Sequence, residues 1–191
     1  MSASAKGYLT GRLLVAMPGI EDPRFERAVI YLCAHDAEHA MGLTINRPVE
    51  GLTVSRVLAK LKVTAPAKPI HDLVLMGGPV DPERGFVLHT DDYLREPATT
   101  VVGGGAAVTA TRAVLETLAA GNPHPRRAVI VLGYAGWDAG QLEREIRHNV
   151  WLTCEPDEAL LFGDDHEHKW SRALAKIGVA AEHLTAHAGR A

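Results

Sequence analysis

Cys33 and His35 stand two residues apart at the end of an apolar run, and this spacing could place a thiol beside an imidazole. On a continuous strand, alternate residues face the same side with their backbones about 6.5 Å apart. A thiolate with a histidine base could attack an acyl or phosphoryl group if the base lies within hydrogen-bonding reach and oxyanion donors are present. The same pair could instead be a buried thiol and a histidine that ends a loop.

A second candidate site consists of polar and aromatic residues at expected strand ends and turns, where core packing explains them least. These residues are His35, Asn46, Arg47, Arg84, His89, Tyr134, Trp137 and Gln141. If folding gathers them in one concavity, two guanidinium groups could hold a carboxylate or phosphate, while aromatic rings line an apolar contact. In the alternative, the amides satisfy turn N–H groups, the arginines pair with acids such as Asp81, and the rings complete the core.

Other patterns typical of metal or nucleotide sites are incomplete. The pairs His35/His39 and His183/His187 have the helical spacing of two zinc ligands, but neither includes the glutamate of H-E-x-x-H. Residues 103–105 form a glycine triplet before an expected helix, yet the lysine and serine of a phosphate-binding loop are absent. We therefore predict no metal site and no cofactor, and we interpret the glycine triplet as a flexible connection.

The composition is that of one folded domain spanning residues 1–191, with disordered tips at about 1–6 and 186–191. Hydrophobic residues make up 47% of the 191 residues and charged residues 23%, which excludes general disorder. The net charge of −3 provides no overall attraction to phosphate backbones or anionic lipid. The adjacent basic pair Arg126–Arg127 is interpreted as a solvated turn, so direct nucleic-acid binding is not predicted.

The cysteine pattern and hydropathy predict a cytoplasmic protein. Cys33 and Cys154 lack C-x-x-C spacing and lie in apolar surroundings, which favours buried thiols in a reducing compartment. The amino-terminal residues lack the apolar run of a secretory signal, and no stretch approaches the ~18 apolar residues of a membrane span.

The hydrophobic pattern alternates between strands and helices and indicates an α+β class. We expect strands at 7–16, 28–34, 41–46, 73–76, 85–89, 128–132 and 150–154, and helices at 53–61, 109–120 and around 170–177. The strands at 73–76 and 85–89 are expected to pair as an antiparallel ribbon around the turn residues 82–84. A further helix is expected after Asp138 and Gln141, which have the spacing of a capping box.

Four separated blocks of the sequence combine glycine, proline, aromatic and charged residues. They are LLVAMPGIEDPRFERAVIYLCAHD at 13–36, MGLTINRP at 41–48, GGPVDPERGFVLH at 77–89 and GYAGWDAGQLEREIRHNVWLT at 133–153. These blocks, in this order, resemble the YqgE/AlgH family of bacterial proteins. The resemblance spans nearly the whole chain and implies a bifurcated, barrel-like mixed sheet flanked by helices. Some family members are named as transcriptional regulators, but the charge balance and the lack of a helix-turn-helix pattern do not favour direct DNA binding.

No complete catalytic set is visible, so we expect a non-catalytic regulatory or accessory protein. Its expected ligand is a small anion or a protein partner. The alternatives are an enzyme acting on an acyl or phosphoryl substrate with Cys33 and His35 or the histidine and arginine group, and a transcriptional regulator. The oligomeric state is not predicted.

Overall fold

The computed structural model describes residues 8–64, 73–110, 112–122 and 125–185. The strands of this part of the chain are β1 (Leu13–Ala16), β2 (Val29–His35), β3 (His39–Thr44), β4 (Pro48–Thr53), β5 (Leu73–Met76), β6 (Val80–Thr90), β7 (Thr99–Gly103), β8 (Ala106–Thr109), β9 (Ala128–Asp138) and β10 (Trp151–Cys154). The helices are α1 (Val54–Lys60), α2 (Arg112–Ala119), α3 (Gln141–Arg147), α4 (Glu158–Phe162), α5 (Lys169–Lys176) and α6 (Ala181–Thr185).

Strand β9 is the branch point of the sheet, whose main path runs β10-β1-β2-β3-β9-β6-β8-β7. The second half of β9 pairs antiparallel with β3, where Asp138 lies opposite His39. The first half pairs in parallel with β5, where Ile130 lies opposite Val74. Between the halves, Gly133 has a φ of 69°, a left-handed conformation that favours glycine and redirects the strand. The sheet therefore divides at Gly133.

The sheet also curls, so that strands far apart in its order come into contact. The Tyr31 hydroxyl on β2 donates to the carbonyl of Gly103 at the end of β7, at 2.6 Å. Gly11, just before β1, lies so close to β7 that a Cβ there would be 3.2 Å from the Val102 carbonyl oxygen. The predicted α+β class with a bifurcated, barrel-like sheet is confirmed.

The helices form where local signals and an apolar face coincide. Thr53 caps α1 by accepting a hydrogen bond from the Arg56 amide at 3.3 Å, and Leu58 packs the inner face. On α5, Trp170 and Leu174 are buried at helical spacing. The predictions of helices at 53–61 and around 170–177 are confirmed.

Alternating strand residues divide the core between the two faces of the sheet. The inner cluster fills the curl and includes Tyr31, Cys33, Phe86 and Val108, with α4 and α5 packed against it. The outer faces carry two further clusters. One includes Trp137, Leu142 and Trp151, and the other is covered by α1 and α2.

The glycine triplet is the turn of a hairpin, so the prediction of a flexible connection that leads into a helix is wrong. The helix predicted at 109–120 is present as α2 (Arg112–Ala119), but Thr109 does not cap it. Strands β7 and β8 pair antiparallel on either side of residues 103–105, and Thr109 is a buried residue at the end of β8. Short strands separated by glycines lack the length that makes hydrophobic alternation visible in a sequence.

The expected ribbon between 73–76 and 85–89 is also wrong in its pairing. Strand β5 lies between β4 and β9, whereas β6 pairs with β8 and β9. Residues 82–84 belong to β6, beside a shift of register against β9. Strand β4 was not expected at all.

The capping box before α3 is half formed. The Gln141 side chain accepts from the Asp138 amide at 3.0 Å, but the cap position is Gly140, which has no side chain to reciprocate. The predicted disordered tips lie outside the described residues. Across the described ranges, no helix has both the length and the apolar character needed to cross a membrane.

Candidate functional site

Two concavities lie beside the second half of β9 and share Val80, Gly136 and Trp137 in their walls. The first, the aromatic cavity, has a volume of about 900 Å³ and is lined by the loop after β1, by α3 and by the start of β10. The second, the barrel-mouth groove, has a volume of about 640 Å³ and is lined by strands β2, β3, β6, β7, β8 and β9. Both are large enough for a small organic molecule.

The aromatic cavity is organised around the carboxylate of Glu145. The indole Nε1 groups of Trp137 and Trp151 donate to its Oε2 at 2.8 and 2.7 Å, and the Gln141 amide donates to its Oε1 at 2.8 Å. Trp137 and Trp151 contact each other edge to face with centroids 6.0 Å apart, and Phe25 contacts Trp151 in the same way at 5.7 Å. These hydrogen bonds hold the carboxylate in one orientation at the cavity wall.

Charges around the aromatic cavity are mainly negative. Glu21, Asp22 and Glu145 line it, together with Arg24 and His148. Arg24 is tied to Asp22 through both carboxylate oxygens, and this pairing lowers the pKa of Asp22. The cavity therefore presents carboxylates without an equal number of cations.

The barrel-mouth groove is the open end of the inner core. Cys33, Phe86 and Val108 belong to that core, and Met41 and Tyr134 pack against it. The groove is therefore mainly apolar.

Arg84 provides the guanidinium group of the groove. Its Cζ lies 5.1 Å from the centroid of the Phe86 ring, and within the described ranges it has no carboxylate partner. Asp138 and His39, which are opposite each other on β9 and β3, also line the groove, and His39 contacts Asp36 at 3.1 Å.

The structure distributes the sequence-predicted site residues over several places. Arg84, Tyr134 and Trp137 line the groove, Trp137 and Gln141 line the aromatic cavity, and His35, Asn46, Arg47 and His89 line neither. The expectation of one shared concavity is therefore not met. Arg84 also does not pair with Asp81, because no ion pair joins them in the described structure.

Asn46 and Arg47 hold the chain before β2. The Asn46 side chain accepts from the Val29 amide at 2.9 Å and donates to the Arg27 carbonyl at 2.9 Å. Arg47 donates to the Glu26 carbonyl at 2.6 Å. Asn46 therefore satisfies backbone groups, as the alternative interpretation of the sequence expected. Arg47 binds a backbone carbonyl, whereas that interpretation expected an acidic side chain.

His35 joins the amino-terminal segment to α3. Its Nδ1 accepts from the Leu9 amide at 3.0 Å, which leaves the proton on Nε2, and Nε2 donates to Glu143 at 3.0 Å. The Tyr8 ring packs edge-on against the imidazole at 5.0 Å. Glu143 on α3 thus binds His35 at the end of β2.

His89 is fully buried, and both of its ring nitrogens have partners. Nδ1 donates to the Thr90 carbonyl at 2.8 Å, and Nε2 accepts from the Thr109 hydroxyl at 2.8 Å. The Thr109 hydroxyl also contacts that of Thr99 at 2.8 Å. Burial lowers the pKa of His89, which favours the neutral ring.

Cys33 and His35 do not form a nucleophile and base pair. The register of β2 against β3 shifts between Leu32 and Ala34, so the expected alternation is interrupted. Cys33 packs in the inner core, where its thiol donates to the Tyr31 carbonyl at 3.5 Å, whereas His35 contacts α3. Burial raises the pKa of the Cys33 thiol to about 12, so the thiol is protonated at neutral pH.

In the described ranges, no group of three or more His, Cys, Asp or Glu side chains is placed to hold a metal ion. Arg126 and Arg127 both lie beside Glu158, at 2.7 and 3.8 Å, so the basic pair is partly neutralised.

Glu145 and Trp151 were not among the sequence-predicted site residues. A signal was present, because Glu145 lies one helical turn after Gln141 and therefore on the same face of the predicted helix. The contact with Trp151 depends on how β10 returns beside β1, which no local spacing indicates.

A family model described as AlgH-like matches residues 13–182 of the chain. The chain belongs to the AlgH-like family. It is 61% identical over 184 residues to a protein of Caulobacter vibrioides named as a UPF0301 protein, covering 96% of this chain and 94% of the relative. A UPF0301 protein of Bradyrhizobium diazoefficiens is 47% identical, covering 98% of this chain and 91% of the relative.

Solved structures share the fold. The solution structure of the AlgH protein from Pseudomonas aeruginosa superimposes with a TM-score of 0.77 at 44% identity, covering 100% of both chains. A crystal structure of a Corynebacterium diphtheriae protein has a TM-score of 0.70 at 19% identity, covering 86% of this chain and 85% of the other, and supports the fold alone. The family named from the motif blocks is thereby confirmed.

Proposed function

We propose that this chain is a non-catalytic accessory protein that binds a small anionic ligand with an apolar body in the barrel-mouth groove. The observation that carries the proposal is the position of Arg84, without a carboxylate partner among the described residues, at the rim of a cavity lined by Met41, Phe86 and Val108. Mouths of β-barrels are frequent ligand sites, and a guanidinium group binds carboxylates and phosphates through paired N–H donors.

A binding role is favoured over catalysis by the state of the candidate reactive groups. The thiol of Cys33 stays protonated, and the ring nitrogens of His35 and His89 are engaged by protein groups. The groove contains Arg84 for orientation and apolar walls for affinity. Any regulatory action would then follow from ligand binding, without direct contact to nucleic acid, in the cytoplasm.

Isothermal titration calorimetry with octanoate and octyl phosphate tests the proposal, with 1-octanol as the uncharged probe. We expect saturable binding of both anions and weaker binding of the alcohol. Arg84→Gln should weaken anion binding about tenfold, because one charge-assisted hydrogen bond contributes roughly 1.5 kcal/mol. Arg112→Gln is the matched control, since it removes an exposed arginine from α2. No anion binding, or equal affinity of Arg84→Gln and the native chain, would reject the proposal.

A protein partner beside the groove, on the outer side of β7, is the second candidate. It is favoured by exposed apolar side chains on the neighbouring segment, where Leu94 is 61% and Val101 is 55% exposed. Val101 lies on β7 between Thr100 and Val102, which line the groove, so its side chain is on the opposite side of the strand. If the groove binds a small ligand, Val101→Asp should leave both octanoate binding and regulatory activity unchanged. If a protein partner binds beside the groove instead, the same variant should reduce regulatory activity.

A further inference from the structure

The aromatic cavity has more carboxylates than cations in its lining, whereas Arg84 and Asp138 balance each other in the lining of the groove. The chemistry of the aromatic cavity therefore requires a separate explanation. The carboxylates of Glu21, Asp22 and Glu145 line it, against the guanidinium group of Arg24. When His148 is neutral, the lining therefore has two negative charges more than positive ones. Because Arg24 is already bonded to Asp22, the uncompensated carboxylates are those of Glu21 and Glu145.

Glu145 retains the capacity to bind a ligand. A carboxylate offers about four acceptor positions, and Trp137, Trp151 and Gln141 use three of them. The remaining position is on Oε1, which accepts only from Gln141 in the described structure. Glu21 also lines the cavity, is exposed, and has no partner among the described residues.

The remaining wall is aromatic. Phe25, Trp137 and Trp151 pack edge to face, and the indole N–H groups of both tryptophans are directed at Glu145. Carboxylates combined with aromatic rings provide both ionic and cation–π attraction for an organic cation with an apolar stem. A bare divalent ion would instead require several converging oxygen ligands, and no such group occurs in the part of the chain described.

We propose that the aromatic cavity binds an organic cation, an alkylammonium or guanidinium group on an apolar stem, with Glu145 and Glu21 as its counter-ions. A free amine and a lysine or arginine side chain of another protein share this chemistry. The proposal does not depend on Arg84 or on a ligand in the barrel-mouth groove.

The three indole groups of the protein provide a direct assay. In ¹H–¹⁵N spectra, the Nε1–H signals of Trp137 and Trp151 report on Glu145, whereas Trp170 donates to the Ala16 carbonyl at 2.8 Å and serves as the internal control. The free-amine probe is 1,4-diaminobutane, with 1-butanol as its uncharged counterpart. The side-chain probe is acetyl-Gly-Lys-Gly-amide, with norleucine replacing lysine in its counterpart. Ionic strength is held constant with sodium chloride.

The expected result is a saturable shift of the Trp137 and Trp151 signals with one or both cationic probes, while the Trp170 signal stays in place. Saturation by the diamine alone identifies a free amine, and saturation by the lysine peptide identifies a protein side chain. Glu21→Gln should weaken the apparent affinity about threefold, the effect of one exposed charge, with Glu116→Gln on α2 as the matched control. Glu145→Gln should weaken it further.

Two results would overturn the proposal. One is the absence of a saturable shift with either cationic probe at concentrations up to about 50 mM, which would saturate a site with a Kd of about 1 mM. The other is an equal apparent affinity for the uncharged probes, or an unchanged apparent affinity in Glu21→Gln, which would mean that charge does not determine binding. Glu21 is exposed, so its variant remains informative even if Glu145→Gln perturbs folding. Arg84→Gln should leave these shifts unchanged, so a failure here is distinguishable from a failure of the proposed groove ligand.

Discussion

The indole Nε1 of Trp137 donates to Oε2 of Glu145 at 2.8 Å, joining the end of β9 to the middle of α3. Trp137 is 5% exposed, so its N–H group is nearly removed from water and needs an acceptor. The carboxylate therefore contributes to the fold as well as to the wall of the aromatic cavity.

Removing the Glu145 carboxylate should destabilise the protein. Glu145→Ala leaves the indole N–H groups of Trp137 and Trp151 without their acceptor, and we expect a loss of about 2–4 kcal/mol in the free energy of unfolding. Urea denaturation measures the loss. Glu116→Ala, which removes an exposed carboxylate on α2, should cost less than about 0.5 kcal/mol. Equal stability of the two variants would show that the indole hydrogen bonds contribute little.

His89 should make stability depend on pH. Its pKa is lowered in the folded state from the usual 6.5 by burial, so the unfolded chain binds more protons as the pH falls below about 6.5. The contribution of neutral His89 is present above that pH and is lost on acidification towards the folded-state pKa. The stability difference between the native chain and His89→Gln should therefore narrow between pH 7.5 and 5 in urea denaturation. A constant difference would contradict this assignment.

Lys169 should make the stability of the protein depend on pH in the alkaline range. It is buried with Nζ donating to the Ile45 carbonyl at 2.9 Å, and burial lowers its pKa from 10.5 to about 8. Between pH 8 and 10.5 the unfolded chain binds one more proton than the folded chain. The free energy of unfolding therefore rises with pH over this range, by roughly 3 kcal/mol in total. Relative to Lys169→Met, the native chain should gain stability from pH 8 to 10. Parallel curves for the two proteins would argue against a buried ammonium group.

Cys33 should be unreactive in the folded protein. Its thiol is buried with a pKa raised to about 12, and burial also raises the pKa of Cys154. Iodoacetamide at neutral pH should therefore modify neither cysteine appreciably until urea unfolds the chain, as measured by intact mass. Rapid labelling of Cys33 that spares Cys154 would restore the enzyme hypothesis.

Gly78 should not tolerate alanine. A Cβ at this position would lie 2.2 Å from the Tyr134 carbonyl carbon, where the chain before β6 crosses β9. We expect Gly78→Ala to cost several kcal/mol, because only backbone movement can relieve the overlap. Gly85→Ala is the control, since the nearest atom there is a Leu132 methyl at 3.8 Å. Similar melting temperatures for the two variants would contradict the close approach.

Local structure was largely predictable where short-range signals dominate. The helix capped by Thr53 and the helix around Trp170 follow from capping and apolar spacing, which involve neighbouring residues. The hairpin at 103–105 and the parallel pairing of β5 with β9 were missed because short strands carry little periodicity and because partner choice depends on distant segments.

The residues of the candidate site were likewise predicted only in part. Trp137 and Gln141, both in the block at 133–153, were predicted as site residues, and both line the aromatic cavity. Their shared partner Glu145 was missed, although it lies on the same helical face as Gln141. His89 was selected as a polar residue at a strand end, but the fold buries it completely against Thr109.

The amino-acid sequence by itself determined the family, the α+β class and the position of several helices and strands, because motifs and local propensities are contained within short segments. Only the tertiary structure decided which polar side chains meet, that Cys33 and His35 separate, and that two cavities of different charge flank β9. These features arise from strand pairing and burial between residues far apart in the chain, whose free energies depend on the whole fold.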